Sequence, residues 1–274
     1  RVLVIKLGPL LEMVQALPAM AQIRTLHSGA RITLLTTPTF EGFARASALF
    51  DEVFIDGRPR GLRGHLRLYR RLRRGRFERV YDLQSSPTSG NCRLAFLPFV
   101  PPWITAPAEV RALPPLDRYW RQLSDAGLAD PIAAGQAAPK PDLAWAIAAA
   151  ARGGRSIREQ LNLQAPFALL VPGSMPGRPL VRWPAKSYAG LADELMKAGL
   201  TPVVAGGSQE AGLAEAIQRY VPQTVILTGR VNPIELMALA RDAKLTVGSN
   251  PAYTMIAGFA GSPTVLLLPS DVSP

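Results

Sequence analysis

The chain has 274 residues, enough for two domains of ordinary size, each with a core of its own. Hydrophobic residues make up 48% and charged residues 19%, but apolar runs are broken by Arg, Pro or Gly before the ~20 residues that span a bilayer, so a soluble or at most peripheral protein is expected. The single cysteine, Cys92, excludes an internal disulfide framework. The net charge of +11 is concentrated: ten arginines between Arg58 and Arg79 face one acid, Glu78, so one patch carries +9 of it.

Residues 1–7, RVLVIKL, read as a strand and lack the charged, apolar, small-residue order of a secretory signal, so cytoplasmic residence is expected. There is no initiator Met, and the sequence stops at Pro274 just after a strand-like run, the pattern of a segment short of one or both ends. Residues 31–37, 51–56 and 78–84 are further short strand-like runs, and Met13, Leu17, Met20 and Ile23 follow helical spacing. Pro18 removes a backbone donor inside that first helix, which predicts a kink or break near Gln15. Within residues 58–79, Leu62, Leu66 and Tyr69 stand at i, i+4 and i+7 among the arginines, predicting an amphipathic basic helix.

A helical stretch over 116–128 is followed by residues poor in large apolar side chains and rich in Pro, Gly and Ala. This predicts an N-terminal domain over 1–130, a linker over 131–142 and a C-terminal domain over 143–274. In the last, strands are predicted at 167–172, 201–205, 224–228, 244–248 and 264–268, with helices at 185–198, 210–220, 233–242 and 251–260. Strands alternating with helices imply parallel sheets, so the expected fold class is α/β, with two Rossmann-like domains facing across a cleft. Ligands of such sheets bind at the carboxyl ends of the strands, which directs attention to the loops at 8–13, 84–90, 172–182, 206–210, 229–233 and 248–255.

In those loops Glu12 is either a general base or simply a first-turn acid favoured by the helix dipole. Asn250 is a good N-cap with Pro251 at the first helical position, leaving the amides of Ala252 and Tyr253 and the Thr254 hydroxyl to meet an anion, or merely starting an ordinary helix. His27 and His65 have no partner ligand at metal spacing and there is no Asp-x-Asp pair, a pattern compatible with chemistry that uses no metal. No G-x-G-x-x-G follows the first strand, which sets dehydrogenases and epimerases aside and leaves no cofactor expected. The arginine helix would attract phosphorylated lipids, an anionic membrane face or, less readily, nucleic acid, for which a fold motif and stacking aromatics are lacking; a solvated helix is the alternative.

Residues 4–18, VIKLGPLLEMVQALP, resemble the opening of glycosyltransferase family 9, the ADP-heptose:lipopolysaccharide heptosyltransferases, which reads roughly V-I-R/K-x-S-S-L-G-D-V-V-x-A/T-L-P. Residues 172–174, PGS, and 181–184, VRWP, are similar to the family's strand end and K-x-W-P stretch. Residues 246–264, TVGSNPAYTMIAGFAGSPT, resemble V-G-x-D-S/T-G-x-x-H-L-A-A-x-x-G-x-P-T, and Asp271 stands near a T-D-P-like turn. The resemblance implies the B fold of glycosyltransferases and inverting, metal-independent sugar transfer. The donor would be a nucleotide diphosphate sugar, ADP-sugar favoured, and the acceptor an anionic glycan or glycolipid such as the lipopolysaccharide core at the inner membrane. It also implies roles: Glu12 as base; Ser174, Arg178, Arg182, Asn250, Ala252, Tyr253 and Thr254 toward the donor; Lys6, Asp82, Gln84, Arg63, Arg67 and Arg70 toward the acceptor. The departures are Leu11-Glu12 for Gly-Asp, Val181 for Lys, and Asn250, Pro251-Ala252 and Met255 for Asp, Ser/Thr-Gly and His. They leave open a catalytically degenerate member that binds a glycan, nucleotide or protein.

Overall fold

The computed structural model describes residues 1–130, 137–151, 155–163, 165–173 and 183–268. The chain divides into two compact units, Arg1–Pro141 and Asp142–Pro274. Of the expected linker, residues 131–136 lie outside the described residues.

In the first unit the strands are β1 (Val2–Ile5), β2 (Ile32–Leu35), β3 (Glu52–Phe54), β4 (Arg79–Asp82) and β5 (Trp103–Thr105), all parallel, in the order β3-β2-β1-β4-β5. β1 is central and fully buried, which explains its unbroken VLVI run: a parallel strand covered on both faces has no polar side to present. β5 was missed in the sequence because Pro101 and Pro102 precede it and only three residues pair. The first helical stretch is two helices, Leu10–Gln15 and Leu17–Leu26, with Pro18 in the first turn of the second, where its missing N–H costs nothing. Gly8, at φ +96°, starts the loop that feeds them; a Cβ there would collide with the Phe40 ring.

The basic helix runs over Gly61–Arg74. It seats on the sheet through Leu68 and Leu72, one turn apart, against Phe54, Phe77 and Phe96. Of the expected apolar stripe Tyr69 packs against this core, while Leu62 is 76% and Leu66 44% exposed, because the register is set by the phenylalanines beneath and not by leucine spacing alone.

The second unit repeats the plan, with β6 (Phe167–Val171), β7 (Thr201–Val204), β8 (Val225–Ile226), β9 (Leu245–Gly248) and β10 (Thr264–Leu266), parallel, in the order β10-β9-β6-β7-β8. One face of the sheet packs on Leu236 and Leu239 of the Pro233–Asp242 helix. The other packs on Tyr188 and Ala192 of Ala185–Lys197 and Ile217 of Ala211–Tyr220.

Candidate functional site

At the carboxyl end of the first sheet, the residue after β1 is Lys6, and the first turn of Leu10–Gln15 carries Glu12. Lys6 is fully buried, and its Nζ donates to Glu12 Oε2 at 2.7 Å. The same oxygen accepts from Tyr119 Oη at 2.7 Å and Arg118 Nη2 at 3.2 Å, both from the Pro115–Ser124 helix. Arg118 also donates to Tyr119 Oη at 2.9 Å, and the Lys6 ammonium lies 5.0 Å from the Tyr119 ring centroid. One carboxylate oxygen is thus fixed by three donors, while Glu12 Oε1 makes no hydrogen bond among the described residues and the side chain keeps 27% of its exposure.

Burial alone would raise the Glu12 carboxyl, but the Lys6 ammonium, with Tyr119 and Arg118, outweighs it and holds the group below its ordinary 4.5. Burial pushes Lys6 down from 10.5, and Glu12 offsets that only in part. At neutral pH Glu12 is ionised and oriented. Arg118 and Tyr119 went unnoticed in the sequence, since nothing in a helix 106 residues downstream of Glu12 marks it as that acid's partner.

The other residues expected to face an acceptor separate into two groups. Lys6 does not: its ammonium is sealed under Glu12 and also reaches Gln84 Oε1 at 3.3 Å. Asp82 does not either: it is 1% exposed, its Oδ1 accepts from the Ser85 amide at 2.8 Å, and burial raises its carboxyl despite that bond. Lys6 follows β1 and Asp82 ends its neighbour β4, where a polar side chain is drawn into the loop network and away from solvent. Gln84 is half-buried; its Oε1 also accepts from the Leu7 amide at 3.0 Å, and its Nε2 has no partner among the described residues. Arg63, Arg67 and Arg70 are exposed, make no ion pair among the described residues, and line a groove of about 690 Å³ with Arg74, Arg1 and Glu52. By contrast Arg71 pairs with Asp56 at 3.5 Å and stacks on Phe54 at 3.7 Å.

In the second unit, Ser174, Arg178 and Arg182 lie outside the described residues. At the start of Pro251–Phe259, Asn250 Oδ1 accepts from the amides of Ala252 at 3.1 Å and Tyr253 at 3.3 Å. This corrects the expectation that those amides are free: the N-cap side chain already holds them. Thr254 is fully buried, and a Cβ on Gly248 would collide with its Oγ1, so this hydroxyl faces the strand and not solvent. Sequence reasoning missed Glu210. A Cβ built on Gly173 would lie 2.9 Å from Glu210 Oε1 and 2.8 Å from Asn250 Nδ2, so the carboxylate and the amide converge over this glycine at the end of β6. The Tyr253 hydroxyl is raised by burial and by Glu210 nearby. Among the described residues no group of three or more His, Cys, Asp or Glu is placed to hold a metal, and no helix is long and apolar enough to cross a membrane.

Two parallel-sheet units of Rossmann type, with polar groups gathered at the carboxyl ends of the strands, are the B fold of glycosyltransferases. The model of glycosyltransferase family 9 (heptosyltransferase) matches residues 123–267, just over half of the 274, and the chain belongs to that family. It is a heptosyltransferase-like glycosyltransferase.

Solved structures agree on the fold. E. coli ADP-heptose lps heptosyltransferase II has a TM-score of 0.74 at 18% identity, covering 98% of this chain and 84% of its own. The glycosyl transferase family 9 protein of Veillonella parvula DSM 2008 scores 0.71 at 18% identity, covering 96% and 78%. E. coli heptosyltransferase WaaC with ADP-2-deoxy-2-fluoro heptose scores 0.69 at 14% identity, covering 96% and 87%. No curated protein sequence matches the chain.

Proposed function

We propose that the protein transfers a heptose-like sugar, with inversion and without a metal, from a nucleotide diphosphate donor, ADP-sugar favoured, to a lipopolysaccharide-core or other anionic glycan acceptor at the inner, cytoplasmic membrane face. The observation that carries this reading is Glu12: an ionised carboxylate at a strand end, one oxygen anchored by Lys6, Arg118 and Tyr119 and the other without a partner among the described residues. Inversion requires one group that takes the acceptor proton as the hydroxyl oxygen bonds to the sugar's C1 and the nucleoside diphosphate leaves with the electrons of the broken bond. Glu12 Oε1 is suited to take that proton, and the anchored Oε2 fixes its direction. Solved family 9 relatives support the donor, since one carries an ADP-heptose analogue.

On the second unit, Ser174, Arg178 and Arg182 are the residues proposed to hold the diphosphate, arginine forks being the strongest phosphate ligands available there. Glu210 would repel a phosphate but accepts hydrogen bonds from hydroxyl groups, so it is assigned to the donor's ribose or sugar. Replacing Glu210 with Ala is expected to weaken donor binding by roughly 10-fold, the loss of one or two charge-assisted hydrogen bonds, with the unfolding temperature unchanged. Calorimetry and a thermal scan read the two effects separately.

Arg63, Arg67 and Arg70 serve the acceptor's phosphates, with half-exposed Leu66 among them for apolar parts. Changing the three arginines to Ala together is expected to raise the acceptor KM at least ~10-fold and flatten its dependence on ionic strength. An unchanged salt dependence removes the groove from acceptor binding.

Calorimetry with ADP-, UDP- and GDP-sugars, followed by acceptor-dependent release of nucleoside diphosphate with and without chelator, tests the whole reading. If no nucleotide sugar binds, it fails. A second reading, a binding module without chemistry, is favoured by the Asn250 cap, which occupies two amides that would otherwise grip a diphosphate. Donor binding with no release would select it.

A further inference from the structure

Beside the basic helix, residues 91–96 pack as a short 3₁₀ segment whose Cys92, Ala95 and Phe96 are buried in the first unit's core. The chain then turns outward. Phe99 is 88% exposed, Leu94 55%, Leu97 50% and Val100 40%. Four large apolar side chains within seven residues cost free energy in water, and scattered surface leucines do not account for such a run. Pro98, Pro101 and Pro102 limit the loop's freedom to fold back and hide them.

The surroundings of this loop are cationic. Residues 97–101 share a groove with Arg73 and Arg76, and Arg93 lies 5.1 Å over the Trp103 ring close by. Among the described residues Glu78 is the one acid that lines this groove, against Arg73 and Arg76. An apolar tip ringed by guanidinium groups fits a surface that is anionic outside and hydrocarbon within, since the side chains enter below the headgroups while the arginines stay level with phosphate.

We propose that residues 94–100, with Arg73, Arg76 and Arg93, form a docking element for an anionic lipid bilayer, the Phe99 ring entering the interface. The charge decides for this occupant over a second copy of the chain, because two such faces would bring arginine against arginine. The inference rests on the reading of the acceptor as membrane-borne. Vesicle binding and sugar transfer are separate readouts, so either can fail alone.

The test is flotation with phosphatidylcholine vesicles, with and without phosphatidylglycerol, of the whole chain and two variants: Phe99→Asp with Leu97→Ser, and Arg73→Glu with Arg76→Glu. The unaltered protein is expected to float only with the phosphatidylglycerol vesicles and to be released by salt. Each variant should weaken that association roughly 10-fold or more, with unfolding temperature and nucleotide-sugar affinity kept. Equal flotation with neutral vesicles, or undiminished flotation of both variants, overturns the proposal. So does an absence of flotation, including one accompanied by a dimer that Phe99→Asp dissociates.

Discussion

Replacing Glu12 with Gln is expected to lower kcat by roughly 10²- to 10⁴-fold, the usual contribution of a positioned general base, while the donor Kd stays within about two-fold. Gln keeps the side chain's length and can still accept from Lys6, Arg118 and Tyr119, so the constellation should persist while the basicity is lost. The pH profile of the unaltered enzyme gives an independent check. Because the Glu12 carboxyl lies below 4.5 in the fold, the acid limb should fall only below that pH. Because the Lys6 ammonium lies below 10.5, raising the pH through its lowered value neutralises it and releases Glu12, so the alkaline limb should begin short of 10.5. Turnover of the Gln variant equal to that of the parent would take Glu12 out of the chemistry.

Replacing Glu12 with Ala should cost about 3 kcal/mol, at the lower end for breaking a buried ion pair because Glu12 is itself partly exposed. The Lys6 ammonium, at 0% exposure, would be left with the longer Gln84 contact and the Tyr119 ring, and no carboxylate bonded to it. For a unit of this size the unfolding midpoint would drop by roughly 10 °C. The double variant Lys6→Met, Glu12→Ala removes the orphaned charge and should recover most of that loss. A thermal scan in which Glu12→Ala melts with the parent would mean that Lys6 sheds its proton or finds solvent. Glu12 contributes stability that is present above 4.5 and lost as the pH falls through its lower folded value, so the gap between parent and Ala variant should narrow in acid.

The parallel sheets were readable from the chain because buried central strands must be apolar throughout: VLVI in β1 and FALLV in β6 declare themselves. The break at Ala16 was readable from Pro18 and the cap from Asn250, since both act through their nearest neighbours. β5 was not, because three paired residues carry too little pattern. The seating of the basic helix on Leu68 and Leu72 was not, because spacing offers several apolar stripes and only the rings beneath choose among them.

The sequence by itself determined the α/β class, the family and the presence of a carboxylate in the first loop, all properties of local pattern and order along the chain. The tertiary structure alone decided which side chains that carboxylate meets. Lys6 and Asp82 turned inward, Arg118 and Tyr119 arrived from a distant helix, and Asn250 took the amides its own helix start had offered. The physical reason is that a polar group near a strand end must find partners once water is excluded, and those partners come from wherever the packing brings the chain back.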